Sequence, residues 1–148
     1  MVKHILVPLD QSELAEQAVS HARMLLEPNG TVSFVTVVDV NNGLSQYNPQ
    51  RRTEIADEMS ESADAYLEKH AAPLRADGIV VQRYVRQGQP ADVIVDLAEE
   101  LKVDLIAMST HGRTGLTRWR FGSVAQKVLG GAPCPVYIIP PKKDRGES

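Results

Sequence analysis

The chain has a single cysteine, Cys134, in 148 residues. That excludes an internal disulfide framework and fits a reducing compartment. Flanked by Pro133 and Pro135, Cys134 reads as a small apolar residue near a strand start, with a reactive thiol as the alternative. No apolar run approaches the roughly 18 residues that a bilayer-spanning helix needs. Met1-Val2-Lys3-His4 enters a strand pattern at once, with no signal-peptide architecture. The expected address is therefore cytoplasmic, with no membrane partner. A formal net charge of -3 offers no basic patch, so nucleic acid is not implied. The four histidines, His4, His21, His70 and His111, lack metal-ligand spacing. There is no Gly-x-x-x-x-Gly-Lys-Ser/Thr phosphate loop and no Gly-x-Gly-x-x-Gly after the first strand. Nothing resembles an activated nucleophile or an arranged general base, so binding is expected rather than efficient turnover.

What is present is ordinary for a one-domain globular protein: 43% hydrophobic and 24% charged residues, enough for a sizeable core without staples. Ile5-Leu6-Val7, closed by Pro8, suits a strand buried on both faces of a parallel sheet. Ser12 is placed to cap a helix whose first turn carries Glu13 and Glu16, and Leu14, Ala18, Ala22 and Leu25 share its inner face. Pro28-Asn29-Gly30 is expected to end that helix. Val32–Val38 reads as a second interior strand, and Asn41–Gln50 as a loop long enough to cover a site. A long amphipathic helix is expected from Thr53, with Ile55, Met59, Ala63, Tyr66, Leu67 and Leu74 on one face and Pro73 disturbing its last turn.

Val80–Arg86, with charges interleaved, suits a sheet edge. Pro90 opens a third helix that buries Val93, Ile94, Leu97, Ala98 and Leu101. Asp104 leads into a fourth strand, Gly122–Leu129 forms a fourth helix stopped by Gly130-Gly131, and Val136–Ile139 is the last strand. Strict alternation of strand and helix predicts an α/β domain over 1–140, with a parallel sheet, helices on both faces and right-handed crossovers. Residues 141–148 read as a polar, disordered tail.

The most informative stretch is Ser109-Thr110-His111-Gly112-Arg113, with Gly122-Ser123-Val124 following Gly112 after nine residues. It runs from the apolar strand Leu105–Met108 to a helix start. A helix N-terminus presents unpaired N–H groups and positive dipole, glycine permits close backbone approach, and serine adds a hydroxyl donor. Phosphate cradling is one reading; plain turn and cap residues are the other. Arg113, Arg118 and Arg120 suit phosphate oxygens or an ordinary surface. His111 reads as a loop residue rather than a catalytic one, and Trp119 and Phe121 as packing or partner-contact residues.

The spacing resembles the nucleotide-binding signature of the universal stress protein family: Gly, two residues, Gly, nine residues, Gly, then Ser or Thr. Gly112, Gly122 and Ser123 match, while Ser109 stands where the signature has glycine. The resemblance extends from Ile5-Leu6-Val7-Pro8-Leu9-Asp10 to Pro133-Cys134-Pro135-Val136. It implies a doubly wound, Rossmann-like sheet of five parallel strands in order 3-2-1-4-5, akin to adenine nucleotide alpha hydrolases. In that order Pro8-Leu9-Asp10 and Ser109–Gly112 meet at the reversal point, where such sheets bind ligands.

The resemblance further implies binding of ATP, or of AMP or ADP, by Pro8, Leu9, Asp10, Val37, Met108, Ser109, Gly112, Arg113, Gly122, Ser123 and Val124. Asp10 would lie near ribose and adenine, or serve only as a cap. Val37 would meet adenine through its backbone, or be plain core. Magnesium or manganese could bridge the phosphates, though no dedicated protein ligand is evident. The implied role is nucleotide-dependent stress response. The rivals are a dimeric interaction protein of the same family that has lost nucleotide binding, with Ser109 as its evidence, and a slow ATPase. Val136-Tyr137-Ile138-Ile139, apolar and placed for a sheet edge, is expected to pair a homodimer.

Overall fold

A strand with neighbours on both sides and helices on both faces has no room for alternating polar residues, and Ile5-Leu6-Val7 is such a strand: all three are 0% exposed. In the computed structural model, which describes residues 1–40, 43–110 and 122–140, the elements run β1 (Val2–Pro8), α1 (Glu13–Leu25), β2 (Leu26–Val38), α2 (Pro49–Ala76), β3 (Val80–Gln87), α3 (Pro90–Leu101), β4 (Leu105–Ser109), α4 (Ser123–Gly131) and β5 (Val136–Ile139). All strands are parallel, in the order β3-β2-β1-β4-β5. The doubly wound sheet implied by the family resemblance is the observed fold.

The pleat sends successive residues to opposite faces. Ile5, Val7 and Phe34 pack with Ala15, Ala18 and Ala22 of α1 and Leu67, Ala71 and Leu74 of α2. Leu6, Val35, Ile106 and Met108 pack on the other face with Ile94, Leu97 and Ala98 of α3 and Ala125 and Val128 of α4. The alanine stripe lets α1 lie close to the sheet. Each large side chain fully buried here, Phe34 or Leu67 for example, contributes about 1.5–3 kcal/mol relative to exposure. Among the described residues no helix is long and apolar enough to cross a membrane.

Some expected boundaries move. Helix α1 stops at Leu25, before Pro28, because Leu26 is buried and already pairs with Val2. Pro28-Asn29-Gly30 instead forms an irregularity within β2, where pairing jumps from Val2↔Leu26 to His4↔Thr31 and Asn29 adopts φ 67. Helix α2 begins at Pro49 rather than Thr53, since Asn48 accepts from the Arg51 N–H and proline suits the first turn. On its inner face Ala56 is buried while Met59 is 41% exposed. Gly130 and Gly131 lie inside α4, which closes with the Ala132 N–H on Val128 just before Pro133. Residues 111–121, which include His111, Gly112, Arg113, Arg118, Trp119, Arg120 and Phe121, lie outside the described residues, as does the 141–148 tail.

At the amino edge of the sheet, fully buried Ser33 is satisfied by His4 Nε2 at 2.7 Å. Asp104 accepts from the Lys3 and His4 backbone N–H groups. Burial pushes the His4 pKa below its usual 6.5, against a smaller upward pull from Asp104. The unfolded chain therefore binds the His4 proton more readily than the folded one. This contribution to stability is complete above the unfolded value and is lost as the pH falls from about 6.5 toward the folded pKa. Urea unfolding between pH 7.5 and 5 should show wild-type stability declining more steeply than that of His4→Gln, whose amide can still bond Ser33. Parallel declines would remove His4 as the cause.

Candidate functional site

The crevice is built where β1 and β4 end side by side and their crossovers depart to opposite faces. Their ladder covers Ile5↔Leu105 and Leu6↔Ile106 and stops short of both strand ends. Pro8 brings no N–H to continue it. The end of β1 is fastened to β2 instead: the Leu9 N–H donates to Val35 O at 2.8 Å, and the Thr36 hydroxyl donates to Leu9 O at 2.8 Å. Leu9 is thereby buried as an anchor, and Asp10 is the first residue past it.

Asp10 has two oxygens with different duties. Oδ1 accepts from the Ser12 backbone N–H at 3.1 Å and from the Ser12 hydroxyl at 2.6 Å. Ser12 Oγ in turn caps α1 by accepting from the Ala15 N–H. Oδ2 takes no hydrogen bond among the described residues. The capping role expected for Asp10 thus exists, indirectly through Ser12, and leaves one oxygen to spare. Gln11, between them, adopts φ 69, a left-handed conformation uncommon outside glycine.

On the facing side, Met108, Ser109 and Thr110 are buried at the end of β4. The Thr110 N–H donates to Ile139 O, and Thr110 O accepts from the Gly122 N–H at 2.6 Å. Gly122 is thereby held at the end of β4, and α4 starts directly beside it. Gly122 has φ -64 and ψ 161, which any residue can adopt. Its glycine is not required by the backbone; what it provides is the missing Cβ. Ser123 is exposed and Val124 half-buried at the first turn, and Val37 is half-buried in β2. Gly112 and Arg113 lie outside the described residues.

Helix termini separate the possible anion sites. Among the described residues all four helices follow a strand, so their N-termini open on the carboxyl edge of the sheet. Helix α1 is capped by Ser12 and carries Glu13 and Glu16 in its first turn. Helix α2 is capped by Asn48. Helix α3 has no side-chain cap but places Asp92 in its first turn, and it follows the edge strand β3. Only α4 has neither a side-chain cap nor an acidic first-turn residue. Among the described residues no side chain caps its first turn, and its positive dipole end opens on the same edge of the sheet as Asp10, where it suits an anion.

Sequence reasoning singled out neither Thr36 nor Thr110. Thr36 was hidden in a β-branched run, where its hydroxyl looks like strand propensity. Thr110 lay inside the informative stretch, and its buried hydroxyl finds no partner among the described residues.

Residues 1–140 match the model of the Universal stress protein family. The chain belongs to that family. Universal stress protein MJ0531 of Methanocaldococcus jannaschii is 34% identical over 97% of this chain and 86% of its own. The solved structure of hypothetical protein MJ0577, from the same organism, superposes with a TM-score of 0.87 at 30% identity, covering 97% of this chain and 99% of that one. An Arabidopsis thaliana family protein solved with AMP bound shares the fold at a TM-score of 0.70 and 17% identity, over 96% of this chain and 94% of its own. Among universal stress proteins this one departs from the glycine signature at Ser109, which closes β4 in regular pairing with Ile139.

Proposed function

We propose that the crevice binds an adenine nucleotide, ATP or a close relative such as AMP or ADP, and that the protein acts as a nucleotide-responsive regulator in the cytoplasm. The observation that carries this reading is the pairing of one uncapped, acid-free helix N-terminus with one half-used carboxylate across the strand-order reversal. The α4 terminus suits phosphate and Asp10 Oδ2 suits a hydroxyl or amine, which is the polarity of a nucleotide. The AMP bound to the Arabidopsis relative supports the same class of ligand.

Magnesium or manganese would accompany the phosphates and offset their charge, without a dedicated protein ligand. Among the described residues no group of three or more His, Cys, Asp or Glu side chains could hold a metal unaided. Cys134 adds no chemistry: burial pushes its thiol pKa up, away from the reactive thiolate.

The same proposal includes a homodimer through β5. The Ile106 N–H donates to Pro135 O and the Thr110 N–H donates to Ile139 O. Alternation then turns Pro135, Tyr137 and Ile139 toward β4, and Val136 and Ile138 present their N–H and C=O groups outward at the sheet edge. An apolar edge of this kind invites pairing with a second copy.

Two substitutions test these readings. Gly122→Val places a branched side chain where phosphate would rest without straining the backbone, so ATP binding by calorimetry should be lost while the melting temperature stays within a few degrees. Retained affinity in the folded variant would move the site elsewhere. Ile138→Pro removes an outward donor while leaving the β4 ladder intact, so light scattering should report a dimer for the wild type and a monomer for the variant. A variant that remains dimeric would place the interface on another surface.

A further inference from the structure

Among the described residues, three other than glycine hold a positive φ: Gln11, Asn29 and Lys102. That backbone crowds Cβ against the following carbonyl, so a side chain there needs a reason. Asn29 lies in the irregular stretch of β2, and asparagine tolerates the conformation. Lys102 closes α3 with its N–H on Ala98 O and Glu99 O, where helices commonly turn left-handed. Gln11 has neither excuse. Glycine would adopt φ 69 without strain. Glutamine gains nothing from the fold in return: it is exposed, and among the described residues its amide makes no hydrogen bond.

The bend is also prevented from relaxing. Leu9 is fastened to β2 ahead of it. Asp10 Oδ1 reaches across it to the Ser12 N–H and hydroxyl, and Ser12 Oγ holds the Ala15 N–H at 3.0 Å. Gln11 therefore sits inside a hydrogen-bonded bracket that makes no use of its side chain. Consecutive Cα atoms stand about 3.8 Å apart, so a ligand that engages Asp10 Oδ2 lies within the span of a glutamine. Residues kept in such conformations collect at ligand sites. The amide offers a neutral donor and an acceptor side by side.

We propose that Gln11 is a specificity-determining residue of the crevice, whose amide reads the polar edge of the bound base. This inference rests on the nucleotide reading above and deepens it by naming a side chain that selects adenine. Adenine presents an amine donor beside the N7 acceptor, and one glutamine amide satisfies both. Guanine presents two acceptors, O6 and N7, and leaves the amide oxygen facing a carbonyl.

Calorimetric titration with ATP and with GTP tests this on wild type, Gln11→Gly and Gln11→Met, with melting temperatures measured alongside. Glycine relieves the bend and removes the amide. Methionine keeps the length and the strain and removes only the hydrogen-bonding groups. The wild type should prefer ATP, and both variants should narrow that preference about fivefold through weaker ATP binding. Gln11→Gly should melt at or above the wild-type temperature. Four results overturn the inference: a wild type that binds GTP as tightly as ATP, a preference kept in either variant, an equal loss of both nucleotides, or a Gln11→Gly protein that melts below wild type, which would give the glutamine a structural purpose. A wild type that binds neither nucleotide overturns the nucleotide reading itself, and this inference with it.

Discussion

The structure depends on the confinement of β1. It is paired on both edges and covered on both faces, so its direction, register and end point are fixed by packing rather than by its own sequence. The end point matters most. Leu9 is tied to β2 by backbone and Thr36 hydrogen bonds, and the chain can leave the sheet only after that anchor. Asp10, the Gln11 bend and the Ser12 cap follow in consecutive positions, so one clamp sets both the carboxylate and the start of α1. A second clamp, Thr110 to Gly122, does the same for the start of α4. The crevice is the space between two fixed chain exits.

The electrostatics of that edge follow from the same arrangement. A doubly wound sheet brings every helix N-terminus to the side where the strands end, which would make an indiscriminate positive rim. Here the rim is edited by single residues. Ser12 with Glu13 and Glu16, Asn48, and Asp92 each satisfy or offset one terminus. The terminus with neither cap nor acid among the described residues, that of α4, lies at the strand-order reversal, where two crossovers part. Selectivity for position comes from what the other helices have spent.

Much of this was legible in the sequence because it is local. The Ile5–Val7 run announces burial on both faces, Ser12 announces a cap, Pro90 a first turn, and the interleaved charges of β3 an edge. Strand order was not local; only the family resemblance supplied it. The boundaries that moved did so where tertiary contacts outweigh punctuation: Leu26 is drawn into the sheet ahead of Pro28, and Gly130 and Gly131 stay helical until Pro133. At the site, the strand-end residues Pro8, Leu9, Asp10, Met108 and Ser109 were readable as positions. The division of Asp10 between a used and a spare oxygen was not, because it depends on how Ser12 folds back. Tyr66 was read as a core residue by its helical spacing, and it packs against the core.

The central claim is that one crevice serves two chemistries at once, anion at the α4 terminus and polar nucleoside at Asp10. Calorimetric titration of the wild-type protein with ATP, adenosine and pyrophosphate measures it directly. The account predicts that ATP binds more tightly than either fragment. Equal binding by pyrophosphate alone would reduce the site to a generic anion pocket, and no binding by ATP would contradict the account altogether.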